Sequence, residues 1–150
     1  MAGQLTLRVI TPDRIALDVQ VESVRLSGTD GAFGILPRHA PMVTAIAIGE
    51  LRYVEHGTPK TLFVSEGFAE VRENTVRVVC EAGERPEEID EQRARASEKR
   101  ARERLAGRGK PASPMPAEEA LDLLRAEASL RRALTRLSVQ TSAGRERVRT

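Results

Sequence analysis

At Pro86 the chain changes its repeat. Before it, apolar residues recur at every second position in short runs separated by turn residues. After it comes a stretch, residues 87–106, with no glycine or proline and an abundance of alanine, arginine and glutamate. A period of two suits a strand and a period near 3.6 suits a helix, and neither pattern sits well in the other's geometry. The chain is therefore read as α+β, in two parts of different class: residues 1–85 and residues 86–150.

In the first part Leu5, Leu7 and Val9 alternate with Thr6, Arg8 and Ile10. Val19, Val21, Val24 and Leu26 form a second apolar set. Residues 51–54 and 61–64 flank Glu55-His56-Gly57-Thr58-Pro59-Lys60, which has hairpin chemistry. Residues 68–72 and 75–80 flank Glu73-Asn74, a second tight turn. Many short β-rich runs broken by turns predict an antiparallel sandwich or barrel. Aromatic residues are only 3% of the chain and tryptophan is absent, so valine, isoleucine, leucine and alanine must fill the core.

In the second part Pro86 suits the first helical position, and Glu87 and Glu88 suit the positive end of a helix dipole. The first helix is expected over residues 87–106, with Gly107 ending it. Residues 107–116 carry two glycines and three prolines and read as a linker, with Ser113 a candidate cap. A second helix is expected over residues 117–139, with Leu123, Ala126, Leu130, Ala133, Leu134 and Leu137 on one stripe. Residues 141–150 are polar and are expected to fray. The two helices make an antiparallel hairpin. Its first helix offers only Ile89 and Leu105 as large hydrophobes, and each fully buried side chain of that kind contributes only about 1.5–3 kcal/mol. The hairpin should therefore lean on the sandwich, a ligand or another protein, and should be movable.

Several classes fall away on composition. The single cysteine, Cys80, excludes an internal disulfide, and its place among Val76, Val78 and Val79 predicts a buried, inert thiol. No apolar run approaches the roughly 18 residues of a membrane helix. Residues 1–4 lack the features of a secretory signal, so an intracellular protein is expected. No nucleophile motif or metal-spaced cluster is present, there are two histidines, and no catalytic residue, metal or obligatory cofactor is expected. Residues 1–85 hold 9 basic and 11 acidic residues, and residues 86–150 hold 15 and 11. The basic second part and the sequence pI near 9.1 raise a basic helical nucleic-acid-binding module as the alternative. Against it, arginine alternates with glutamate along the first helix, and stacking aromatics are absent.

Residues 28–41 have three glycines, which permit positive φ, and two prolines, which fix φ near −65°. This describes a long loop of defined shape. It lacks the Lys-Ser/Thr of a phosphate-binding loop, and His39 is read as a loop brace. In the second part, Arg93 and Arg100 share one face of the first helix, and Arg132 and Arg136 one face of the second. A hairpin could converge all four on a phosphate group. Alternatively they are solvated, or pair with Glu98, Glu103 and Glu127.

The end of that loop, Ile35-Leu36-Pro37-Arg38-His39-Ala40-Pro41, resembles the signature of the epsilon subunit of bacterial F-type ATP synthases. Ser65-Glu66-Gly67-Phe68-Ala69-Glu70-Val71, Leu51-Arg52-Tyr53 and Ile89-Asp90-Glu91-Gln92-Arg93-Ala94 are similar to further segments of that family, in the same order. The resemblance runs from about residue 5 to residue 139. It implies a ten-stranded β-sandwich that packs on the gamma subunit and the membrane c-ring, and a helical hairpin that can extend into the alpha/beta catalytic head. It implies a non-catalytic rotor subunit, coupling proton flow to ATP synthesis and inhibiting ATP hydrolysis, peripheral on the cytoplasmic face of a bacterial plasma membrane. Gly28, Asp30, Gly31, Ala32, Phe33, Gly34 and His39 would form the partner-contact loop, although Ala32 stands where family members often carry a carboxylate. Ile89, Asp90, Arg93 and Ala94, with Glu84, Arg100, Arg132 and Arg136, match the site at which some bacterial members bind a regulatory, non-hydrolysed ATP.

Overall fold

The computed structural model describes residues 3–107 and 114–147. Ten strands come first: β1 (Leu5–Ile10), β2 (Ile15–Val21), β3 (Ser23–Gly28), β4 (Gly31–Ile35), β5 (Met42–Ile46), β6 (Gly49–Glu55), β7 (Thr58–Val64), β8 (Gly67–Arg72), β9 (Thr75–Cys80) and β10 (Gly83–Glu84). They form one hydrogen-bonded path, β10-β7-β6-β3-β5-β8-β9-β1-β2, with β4 paired to β3. The path folds over so that β2 lies against β6, giving the expected β-sandwich. Every pairing is antiparallel except β1 with β9, which run parallel with Thr6 beside Thr75.

The alternation read from the sequence decides which face is buried. Leu5, Leu7 and Val9 of β1 point inward and pack with Val76, Val78 and Cys80 of β9. Burial of Cys80 pushes its thiol up to about 11. The two hairpin turns need left-handed backbone. His56 and Gly57 have φ of 49° and 72°, and Glu73 and Asn74 have 49° and 59°. Positive φ at both central residues matches the strand twist in a two-residue hairpin. The Asn74 side chain then accepts from the Arg38 backbone N–H at 2.9 Å, tying this turn to the segment after β4. In β7 the alternation stops, and residues 61–64 are all buried. Leu62 and Val64 face the sandwich core, while Phe63 faces the helices.

The helical part departs from expectation in three ways. The first helix does not start at Glu87. A 3-10 turn, Pro86–Glu88, comes first, then extended backbone at Ile89 and Asp90, and α1 runs from Glu91–Ala106. Ile89 is only 5% exposed, packed with Phe63 and Val139, and the chain must break the helix to place it there. Second, α2 covers Ala117–Arg147, so the polar tail expected to fray is helical as far as Arg147. Third, the buried members of the α2 stripe are Ala126 and Ala133, with Val139 beyond them, while Leu134 is exposed. Ala94 and Ala101 of α1 are buried in return, so the two helices close on alanines. It is α2 that lies on β6 and β7, and α1 packs on α2. Ser113 lies outside the described residues, as does most of the linker.

Candidate functional site

Residues 28–41 are not one long loop. β3 and β4 form a hairpin with Thr29 and Asp30 at its tip, and only residues 36–41 are irregular. Strand propensity is poor in Gly31-Ala32-Phe33-Gly34, and pairing with β3 overrides it. Gly31 has φ +128°, which disfavours any L side chain. At Gly28 an added Cβ would meet the Gly31 carbonyl oxygen at 2.9 Å and the Phe33 ring at 3.1 Å. Asp30, Gly31, Ala32 and Gly34 are exposed. Beyond β4, the His39 N–H donates to the Leu36 carbonyl at 3.1 Å, and its ring Nδ1 lies 2.8 Å from the Ala40 carbonyl. His39 is a local brace.

The second set of residues surrounds a groove of about 340 Å³ between the sandwich edge and the hairpin. Glu84 enters from β10, and Asp90, Arg93, Ala94 and Ser97 from the start of α1. Ser129, Arg132 and Arg136 face them from α2. Asp90 is the N-cap of α1, its Oδ1 accepting from the Arg93 N–H at 2.9 Å. That bond satisfies one of the open donors at the helix start. Ala94 is buried in the groove wall, where a larger side chain would force the helices apart. Ile89 lies beneath, in the apolar contact with Phe63 and Val139. Arg100 is not among the lining residues; its Nη2 donates to Ser97 Oγ at 3.2 Å, which keeps it at the rim.

The charges are arranged by the sandwich. Arg136 grips Glu84 through two nitrogens, with Nη2 to Oε1 at 2.7 Å and Nε to Oε2 at 2.9 Å. The Arg136 guanidinium also lies 4.3 Å from the centroid of the Phe63 ring. Arg132 reaches Glu66 at 3.4 Å. The expected alternative partners, Glu98, Glu103 and Glu127, are therefore not those of Arg132 and Arg136. Glu98 pairs within α1 with Arg102, at 2.9 Å. Glu88 also lines the groove but is tied to Arg14 at 2.7 Å, and that hydrogen bond holds its carboxyl below the usual carboxylate range. Among the described residues the Arg93 side chain makes no ion pair. The groove thus offers one unengaged guanidinium, one loosely held guanidinium and two hydroxyls. This set suits an anionic ligand; it holds no nucleophile with an adjacent base, and no metal-ligating cluster occurs among the described residues.

Glu66, Phe63, Ser97, Ser129 and Val139 escaped the sequence reading. A helical signal was present for two of them, since Ser97 stands four residues after Arg93 and Ser129 three before Arg132. Glu66 and Phe63 reach the hairpin only through the tertiary fold.

Comparison with known proteins agrees with this architecture. The family described as ATP synthase, Delta/Epsilon chain, beta-sandwich domain matches residues 4–86. The long alpha-helix domain of the same chain matches residues 87–140. The ATP synthase epsilon chain of Nitratidesulfovibrio vulgaris is 43% identical over 143 residues, covering 95% of this chain and 100% of the relative. That of Shouchella clausii is 39% identical over 140 residues, covering 93% and 97%. That of Carboxydothermus hydrogenoformans is 46% identical over 108 residues, covering 72% and 81%. A chain in the Euglena gracilis mitochondrial ATP synthase structure, OSCP/F1/c-ring, shares the fold with a TM-score of 0.66 at 24% identity, over 85% of this chain and 76% of that one. No helix among the described residues is long and apolar enough to cross a membrane. Sandwich, hairpin and relatives agree: the chain belongs to the delta/epsilon family of ATP synthase subunits.

Proposed function

We propose that this chain is a non-catalytic rotor subunit of an F-type ATP synthase, peripheral on the cytoplasmic face of a bacterial plasma membrane. The sandwich, residues 1–85, docks on the gamma subunit and, through the β3–β4 tip, on the c-ring, so that proton flow is coupled to ATP synthesis. The hairpin, residues 86–150, is a brake. Docked, it leaves the alpha/beta catalytic head free; extended, its basic helices enter the head and block ATP hydrolysis. The observation that carries the regulatory part is the thinness of the docking contact. Its apolar centre is Phe63, Ile89 and Val139. Three such side chains contribute about 4.5–9 kcal/mol together, at about 1.5–3 kcal/mol each when fully buried, and the entropy of ordering the hairpin offsets much of that. A contact of that size can be made and broken in a working cycle.

The groove supports ATP as the ligand that biases this equilibrium. Arg93 and Arg132 line the groove and would bind the phosphates, to whose oxygens Ser97 and Ser129 would donate. A bound ligand shifts the hairpin only by its differential affinity for the two states. A tenfold shift needs about 1.4 kcal/mol, within reach of one or two charge-assisted contacts. The nucleic-acid reading loses its footing because α1 neutralises its own surface through Arg95 with Glu91 at 2.7 Å and Arg102 with Glu98 at 2.9 Å. Deleting residues 86–150 should raise ATP hydrolysis by the assembled enzyme and leave synthesis intact; unchanged hydrolysis overturns the brake. Changing Arg93 and Arg132 together to alanine should abolish ATP binding in calorimetry. If the unmodified subunit binds no ATP, the sensor is lost and the brake stands.

A further inference from the structure

Residues 141–147 lie beyond the stretch that matches the family's helical domain, which ends at residue 140. Composition gives them little reason to be helical, since Thr141, Ser142 and Gly144 are weak helix formers. Yet α2 runs through them, and Ser142 and Ala143 are half-buried. Ala143 forms one wall of a cleft of about 480 Å³ whose other walls include Leu17, Tyr53, Pro59, Thr61 and Pro86. This cleft sits where the sandwich edge is open. β10 covers β7 only at Phe63 and Val64. Residues 58–61 of β7 keep one edge without a strand, and Pro59 there removes a donor that an incoming strand would use.

We propose that residues 141–147 are a strap that fastens the docked hairpin across the open end of β6 and β7. Further back, among the described residues, α2 is fastened to the sandwich chiefly through Arg132, Arg136 and Val139, while α1 packs along its other side. A rod held at its middle can pivot. Ala143 stands eleven residues past Arg132, about 16 Å along the helix, and a second contact there opposes tilting. Because Ala143 is small and the cleft beneath it is roomy, the strap is weak enough to release. The strap does not depend on ATP occupying the groove.

The test follows the ratio of docked to released hairpin in the isolated full-length subunit, in urea at the point where the unmodified chain is half released. The readout is the distance between labels on Arg72→Cys and Arg104→Cys in a Cys80→Ser background. A chain ending at Gln140 should show a ratio lower by about five-fold. Gly144→Ala meets nothing within 4 Å, and by favouring the helical tail it should raise the ratio about five-fold, equivalent to about 1 kcal/mol at 1.4 kcal/mol per tenfold. Ratios within two-fold of the unmodified chain for both variants overturn the strap. So does a rise in helix content for Gly144→Ala with no change in docking, which would leave the tail helical and unattached.

Discussion

The Glu84–Arg136 pair should be the main polar fastening of the hairpin, and a double-mutant cycle can measure it. Both side chains are about one-quarter exposed, at 25% and 26%. That places them between exposed pairs, which contribute about 0–1 kcal/mol, and buried ones, where truncating one partner costs about 3–5 kcal/mol. Two parallel N–H···O contacts from a fixed guanidinium fork favour the upper part of the remaining range. A coupling energy of about 1–2 kcal/mol is expected between Glu84→Ala and Arg136→Ala, a five- to thirty-fold change in the docking equilibrium. Arg136→Ala should be the more damaging single change. It also removes the cation from the face of Phe63, worth about 0.5–1 kcal/mol. The assay is hydrogen exchange of the α2 amides in the isolated subunit, read as the free energy of local opening, at low and at 1 M salt. Salt should weaken the coupling only partly, since the pair is not fully solvated. A coupling below about 0.3 kcal/mol would refute the assignment of this pair as the fastening. Equal losses from the two single changes would refute the ring contact's share.

Three further outcomes follow from the sandwich. Gly67→Ala should destabilise the fold by several kcal/mol in urea denaturation, because an added Cβ would come within 2.0 Å of the Val79 carbonyl oxygen, an overlap only backbone movement can relieve. The Cys80 thiol, pushed up to about 11 and 4% exposed, should alkylate at pH 8 about a hundred-fold more slowly in the folded protein than in urea. The Arg14–Glu88 tie depends on a depressed carboxyl, so its contribution is present above the ordinary glutamate value of about 4.3 and lost as pH falls through the lower folded value. Stabilities of Arg14→Ala and the unmodified chain should differ near neutrality and converge in strong acid.

The elements that could be read in advance were those whose signal is local. β1 and β9 follow from strict alternation, and the two hairpins from Gly57 and Asn74 at their turns. What could not be read depends on neighbours distant in sequence. β4 is a strand because β3 lies beside it, despite two glycines in five residues. Pro86 gave a fair sign of helix, but burial of Ile89 against Phe63 interrupts the backbone and passes the cap to Asp90. The stripe of α2 was legible, with Ala126 and Ala133 buried and Leu123, Leu130 and Leu137 half-buried, but Leu134 is exposed, because helices in close contact bury alanine and leave leucine towards the margin. Of the groove, Glu84, Asp90, Arg93, Ala94, Arg132 and Arg136 do assemble, and Arg100 stops at the rim. The carboxylates that neutralise two of the arginines lie 52 and 66 residues away in the chain, beyond any spacing rule.

The parallel pairing of β1 with β9 has a consequence for how the molecule is made. β1 can find its antiparallel partner β2 within a few residues, but its other edge stays unpaired until β9 arrives. The inner layer that Leu5, Leu7 and Val9 share with Val76 and Val78 therefore closes only after almost the whole sandwich has been synthesised. Such non-local pairing is slow to form, because the entropy of closing the intervening chain is lost before any contact repays it. The helices that follow come off the ribosome after β9, next to a sheet that has only just become complete. Phe63, exposed on the outer side of β7 until then, is covered last.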